Sequence, residues 1–327
     1  MSENLAKMIS RHLIFIFLIL TDLAHADLNV WVTGESEKIQ PHDKRQNKNY
    51  IYDAASNSIN IKGAKNEVIA FQIVLCSKDY MEKINVKVGN LISGIDKISQ
   101  NNFELFREWY IKSPASSAFS NEKAGEFPDA LIPFKDPYGS HQNVGAPFKL
   151  HKYRNEVIWI DLHIPEDAPT GNYKGVVQIF VDEKLTTTLN INLTVWDFQI
   201  PKESSLNAWI PLYGNRLAKG EGFNDWDFPD EPSWKIVREY FRMAREHRFM
   251  TQLGDGYDGI EIDWDESSGK LRNINWNKHD RYFGEVLNGQ LFKDGLPPHV
   301  WKVGGFVWWG ARPGSTSTSP PIRLSSS

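Results

Sequence analysis

The sequence predicts an α+β protein in two parts, an N-terminal antiparallel β-sandwich followed by the beginning of a parallel α/β arrangement. Before residue 200 about eight segments read as strands, several with apolar residues at period 2, the mark of strands that bury one face. After that point Trp234, Val237, Phe241 and Ala244 recur at helical spacing through Trp234–His247. Predicted strands at Leu206–Leu212 and Phe249–Leu253 flank this helix, and strand, helix, strand opens a parallel sheet. Gln199-Ile-Pro201 ends the first pattern, so the boundary falls near Pro201–Ser205.

Taken in order, residues 1–26 read as a signal peptide. Lys7 and Arg11 precede the apolar run Leu13–Leu20, and Ala24-His25-Ala26 offers small residues for cleavage. The run is far short of the roughly 20 residues that span a bilayer; a membrane anchor is the other reading of this segment. The mature chain then begins near Asp27 and works outside the cytoplasm, secreted or periplasmic, with no membrane association after cleavage.

Leu28, Val30 and Val32 alternate in a first strand, and Thr33–Asn49 reads as a loop. Ser58–Lys62 is a short strand, and Gly63–Glu67 turns the chain into Val68–Cys76, apolar almost throughout and so a central strand buried on both faces. Cys76 is the only cysteine, which excludes an intramolecular disulfide; within an apolar strand it reads as a buried thiol. Ile84–Val88 and Phe103–Lys112 add two strands, and the Pro-, Gly- and Ser-rich stretch 114–150 reads as a long loop.

The clearest patterning lies between Asn155 and Pro201. Ile158, Ile160, Leu162 and Ile164 alternate with Trp159, Asp161 and His163. A turn at Pro165–Gly171 leads into a strand over Tyr173–Val181, and Asp182-Glu183-Lys184 reverses the chain. Leu185, Thr187, Leu189, Ile191, Leu193 and Val195 then share one face. Three such strands form one antiparallel sheet whose apolar face needs a second sheet to cover it. Past the predicted α/β unit, Gly259–Trp264 and Leu271–Trp276 flank Asp265–Gly269 as a hairpin. Asp280 caps a short helix through Leu287 that closes on Asn288-Gly289, and the tail from Ala311 has no apolar period and is expected to be disordered.

Composition narrows the function. The chain holds 37 basic and 41 acidic residues, a net charge of −4, and no basic stripe, so nucleic acid is not an expected partner. Twelve Trp and 11 Tyr suit both a sandwich core and sugar stacking. His163, His151 and His141 lack metal-ligand spacing. Gly254-Asp-Gly256 lacks the Lys-Ser/Thr of a phosphate loop. No metal and no cofactor is expected.

Several segments taken together resemble a known family. They are Gly63-Ala-Lys-Asn-Glu67 running into Phe71-Gln72, Pro128–Pro133, Trp159-Ile-Asp161 with Pro165–Tyr173, Ala244–Arg248, and Asp280–Gly284 with Gly289. Their order resembles secreted bacterial proteins of the glycoside hydrolase family 123 type, over roughly Asp27 to Gly295. The resemblance implies an N-terminal β-sandwich at 27–201 and the first part of a (β/α)8 (TIM) barrel at 205–310, with the tail at 311–327. It also implies hydrolysis of terminal β-N-acetylgalactosamine with a glycan as substrate. In that chemistry the sugar's own acetamido oxygen attacks the anomeric carbon. The enzyme supplies one carboxylate to orient the acetamide and one acid to protonate the leaving oxygen, as an adjacent Asp-Glu pair at a barrel strand's C-terminal end.

Two pairs stand in this part of the chain. Asp230-Glu231, before Pro232 and the helix, reads as a helix cap. Asp265-Glu266 lies before Ser-Ser-Gly in the hairpin, where a turn explains it equally well. A complete barrel takes about 250 residues, whereas positions 205–327 supply 123. The expectation is therefore that the catalytic pair lies outside this chain, which is inactive alone, either through premature truncation or as a short homologue with its own terminus. Trp209, Tyr213 and Asp255, at predicted strand ends, are the expected substrate-binding residues. The alternative function is a non-catalytic extracellular sandwich that binds carbohydrate or protein, or one that only buttresses a barrel.

Overall fold

The computed structural model describes residues 27–113, 124–137, 144–222, 233–253, 259–265 and 267–301. The predicted signal peptide and tail lie outside the described residues. The chain divides into two compact units, Met1–Pro201 and Lys202–Ser327.

In the first unit the strands in chain order are β1 (Leu28–Gly34), β2 (Tyr52–Asp53), β3 (Ser58–Lys65), β4 (Val68–Ser77), β5 (Met81–Val88), β6 (Leu91–Ser93) and β7 (Asp96–Ile98). There follow β8 (Phe103–Ser113), β9 (Gly125–Pro133), β10 (Phe148–Leu150), β11 (Glu156–His163), β12 (Gly171–Val181) and β13 (Lys184–Gln199). They form a five-stranded sheet in the order β1-β4-β11-β8-β9 and an eight-stranded sheet with the path β10-β5-β12-β13-β3-β2, to which β6 and β7 attach beside β12. The core between them includes Trp31, Phe71, Ile73, Ile160, Tyr173 and Ile191. This is a β-sandwich. Strand β4 lies inside its sheet, and Phe71 to Leu75 are buried along both faces, as the unbroken apolar run requires.

Two expectations are corrected here. First, β11 does not extend the β12–β13 pair into a three-stranded sheet; it crosses to the opposite sheet, between β4 and β8. The Pro165–Pro169 turn carries the chain over the sandwich edge, so Ile158, Ile160 and Leu162 cover the face presented by Leu189, Ile191 and Leu193. In sheet position, β13's neighbour is instead β3, paired in parallel with Ile191 beside Ile59. Second, 114–150 is not one long loop. Strand β9 pairs along β8, with Pro133 opposite Phe106 and Pro128 opposite Tyr110, and β10 pairs with β5. Pro128 and Pro133 are tolerated because β9 is the sheet's outer strand, where a missing N–H breaks no ladder.

Elsewhere short elements escape the period-2 pattern. The hairpin of β6 and β7 turns at Gly94, φ +61°. The reversal between β12 and β13 is a two-residue turn with Asp182 and Glu183 both at positive φ, +48° and +68°, the geometry that matches the strands' right-handed twist. The predicted loop after β1 is pinned by side chains from the sheet. Asn155 Nδ2 donates to the carbonyls of Gln40 and Asp43 at 3.0 Å each, and Gln72 Nε2 donates to Gly34 and Glu37.

The second unit contains β14 (Trp209–Leu212), α1 (Gly214–Gly220), α2 (Ser233–Glu246), β15 (Met250–Leu253), β16 (Glu261–Trp264), β17 (Leu271–Asn275) and α3 (Asn277–Leu287). Strands β14 and β15 pair in parallel, Trp209 beside Met250 and Leu212 beside Leu253. Trp234, Val237, Phe241 and Ala244 are the buried stripe of α2. Phe283 of α3 meets it edge-on, 5.5 Å from Trp234 and 6.3 Å from Phe241. Asp280 does not cap α3. The helix starts at Asn277, and Asp280 sits in its first turn beside His279, where its charge still complements the helix dipole. Gly289, at φ +81°, ends the element; a Cβ there would meet the Gly295 carbonyl at 2.4 Å. Among the described residues the unit shows one parallel strand pair and one antiparallel hairpin, not a closed barrel.

Candidate functional site

In a parallel α/β arrangement, chemistry gathers at the C-terminal ends of the strands, where the connecting loops leave. Tyr213 directly follows β14 at that end. It is partly exposed, its carbonyl accepts from the Arg216 and Leu217 amides of α1, and the Arg216 guanidinium lies 5.0 Å from its ring. Trp209 stands at the opposite end. It opens β14 beside Met250 and packs against the unit's core, so the strand separates the two residues that the sequence placed together. The reason is that the strand starts at Trp209 rather than Leu206. Asp255, Asp230, Glu231 and Glu266 lie outside the described residues.

Asp265 has a different role. Its Oδ1 accepts from the Ser267 hydroxyl at 2.6 Å and from the Ser267 and Ser268 amides at 2.9 and 3.1 Å, with Arg272 3.4 Å from Oδ2. These donors, the Ser267 hydroxyl first, hold its pKa down to about 2. A carboxylate this firmly ionised cannot donate a proton near neutral pH. It closes the β16–β17 hairpin. Among the described residues no group of three His, Cys, Asp or Glu side chains could hold a metal, and no helix is long and apolar enough to cross a membrane.

The sandwich contains a second place where chemically active side chains meet. Strand β11 pairs with β4 from Glu156 onward but with β8 only from Ile158. Below Ile158 the two strands part, while β8 runs on to Ser113 against β9. The gap is a cleft of about 340 Å³. Arg107 to Tyr110 line it from β8, and His151, Arg154 and Glu156 from the segment entering β11.

Each guanidinium in the cleft has a carboxylate. Arg107 donates to Glu156 Oε2 from Nη2 at 2.9 Å and from Nε at 3.2 Å. Arg154 Nη1 donates to Glu126 at 2.7 Å, and its guanidinium lies 5.0 Å from the Tyr110 ring. The Tyr110 hydroxyl donates to the Ile39 carbonyl at 3.0 Å, and burial raises its pKa. Glu108 has no such partner. It is 5% exposed, no hydrogen bond or ion pair reaches its carboxyl among the described residues, and burial pushes its pKa up to about 7. Trp109, by contrast, is 50% exposed, with the Arg107 guanidinium 5.2 Å from its ring.

Sequence reading treated this segment only as a strand. The available signal was Arg107-Glu108 set into Phe103–Tyr110: adjacent opposite charges inside a strand put at least one on a face that should be apolar.

Comparison with known proteins bears on both units. Residues 40–181 match the family model of the Glycoside hydrolase 123 N-terminal domain. Among solved structures, a family 123 glycoside hydrolase from Clostridium perfringens, studied for glycolipid glycan hydrolysis, superposes with a TM-score of 0.58 at 18% identity. The match covers 81% of this chain and 45% of that enzyme, so the chain spans less than half the enzyme's length. At that identity the likeness is one of fold. Two further structures align at TM-scores too low to inform function. AvmM, which catalyses macrocyclization in alchivemycin A biosynthesis, gives 0.29 at 12% identity over 55% of this chain and 93% of its own. Self-complemented MyfA, the major fimbrial subunit of Yersinia enterocolitica, gives 0.21 at 12% identity over 52% and 99%. No curated protein matches the chain.

Proposed function

We propose that this chain, whose residues 40–181 match the glycoside hydrolase 123 N-terminal domain, supplies the sandwich and the opening strand–helix–strand of the (β/α)8 barrel of a secreted or periplasmic hydrolase. Its substrate is a glycan ending in an N-acetylhexosamine of the galactosamine type, cleaved with the substrate's own acetamide as nucleophile. It takes no cofactor, and neither nucleic acid nor membrane is a partner once residues 1–26 are removed. The observation that carries this reading is the fold correspondence with the clostridial enzyme, whose 81% coverage of this chain runs past the 175 residues of 27–201 into the second unit.

Catalysis needs a protonated acid beside an acetamide-orienting carboxylate. Asp265 is ionised and committed to its turn, and Glu108 belongs to a strand of the sandwich, not to the parallel strand pair of the second unit. Neither residue fills the role, and the family resemblance assigns it to an adjacent Asp-Glu pair at a barrel strand's end, with Tyr213 at the end of β14 contributing to the sugar site.

The test is to express the product of the whole coding locus, including DNA read beyond codon 327 in all three frames, and assay it with a chromogenic N-acetyl-β-galactosaminide. Turnover that disappears when an adjacent Asp-Glu pair downstream is replaced by Asn-Gln supports the reading; no turnover from any such product overturns it. The 327-residue chain alone is expected to show none. Sustained turnover by it, abolished in Asp265→Asn, would move the acid onto the hairpin.

A further inference from the structure

Three features set the cleft beside β8 apart from ordinary surface. It is formed by strands that part, not by loop disorder: β4 keeps its ladder to β11 through Glu156 while the β8 ladder stops at Ile158. It contains a carboxyl that is 5% exposed and lacks a protein partner among the described residues. Such a group carries a desolvation cost that no hydrogen bond or ion pair among the described residues offsets. Finally, a large aromatic side chain, Trp109, stands half exposed among its lining residues.

The charges define what fits. The lining holds two guanidiniums, Arg107 and Arg154, and two carboxyls, Glu108 and Glu156, and the guanidiniums are already engaged by Glu156 and Glu126. An anion would approach the Glu108 and Glu156 carboxyls, and a cation the Arg107 and Arg154 guanidiniums, so either one meets like charge in the lining. A hydroxyl suits the site because it donates and accepts at once. It can donate to Glu108 or Glu156 while accepting from a guanidinium N–H not used in the ion pair. A ligand presenting several hydroxyls around one apolar face would also meet the Trp109 ring. The volume of about 340 Å³ is enough for a small ligand group and too small for an extended oligomer.

We propose that the cleft between β8 and the start of β11 is a non-catalytic binding site for one neutral sugar unit of a glycan chain, with Trp109 stacking on the ring and Glu108, Arg107 and Arg154 reading its hydroxyls. The site lies wholly in the sandwich, so it stands or falls independently of the hydrolytic reading. A sandwich that holds one unit of a long glycan raises the local concentration of that glycan around any second site on the same protein.

The experiment uses the full chain and isothermal titration calorimetry with methyl β-galactoside, methyl β-glucoside and lactose, each to about 20 mM, a range suited to a Kd near 1 mM. At least one sugar is expected to bind, with affinity falling about tenfold in Trp109→Ala as the stacking partner is lost. The same sugar is expected to lose affinity in Glu108→Ala. Trp109 is half exposed, so its variant should keep the melting temperature; where Glu108→Ala does not fold, Glu108→Gln serves, since it keeps the shape and removes an acceptor oxygen. Absence of binding by all three sugars overturns the proposal. So does binding at wild-type affinity in both the Trp109 and the Glu108 variant.

Discussion

At the scale of single residues, two carboxyls are displaced in opposite directions for opposite reasons. Glu108 is buried with no donor among the described residues, and burial raises its pKa to about 7 in the folded state, against about 4.3 for a free glutamate. The folded state then holds a proton that the unfolded chain has already released, and stability falls as pH rises between those values. Over that window the loss amounts to roughly 3–4 kcal/mol. Urea unfolding of Glu108→Gln should therefore give a flatter stability profile between about pH 4.5 and 7.5 and a higher stability at the upper end; an unchanged profile would mean the carboxyl is solvated. Asp265 is lowered to about 2 by the Ser267 hydroxyl and the Ser268 and Ser267 amides. Its contribution is present above the free-aspartate range and fades only as pH falls through that value. In Asp265→Ala the hairpin should fray. Amide exchange at Ser267 and Ser268 should quicken with little change in the global transition, because exposed turns open locally. The turn that holds Asp265 is legible in Asp265-Glu-Ser-Ser-Gly269, but the burial of Glu108 is not. Arg107-Glu108 is only two opposite charges in a row until the fold decides which is shut away from water.

Among the elements, α2 and β4 were legible from their own residues, and β9 and β11 were misread. The stripe Trp234, Val237, Phe241, Ala244 buries the positions its spacing implies. Phe241→Ala should destabilise the second unit by about 3–5 kcal/mol, as large-to-small changes in packed cores do, measurable by thermal or urea unfolding. Asn155 is a comparable case for a loop. Removing its amide leaves the Gln40 and Asp43 carbonyls without their donor, and Asn155→Ala should cost about 1–3 kcal/mol and loosen the segment after β1. The Pro-, Gly- and Ser-rich composition of 114–150 reads as a loop and hides β9, whose Pro128 and Pro133 are tolerated because it is the outer strand. A sequence-only reading places β11 beside β12 because consecutive strands usually pair. Alternation shows that a face must be buried, but not which sheet buries it.

For the whole molecule, the division at Pro201 implies that the sandwich carries its own core. Residues 27–201 expressed alone should show a cooperative thermal transition and a strand-dominated circular dichroism spectrum; a molten or aggregated product would show that the division is not one of folding. The sequence by itself determined the two-part organisation, the apolar strands and helix, and the resemblance to glycoside hydrolase family 123, because each depends on local periodicity or on short runs of residues. Only the tertiary structure decided that β11 lies in the sheet opposite β12, that Trp209 and Tyr213 fall at opposite ends of one strand, and that Glu108 meets Arg154 and Glu156 in a cleft. Those facts depend on which segments distant in the chain become neighbours. That choice is made by the collective burial of apolar faces, and no local pattern encodes it.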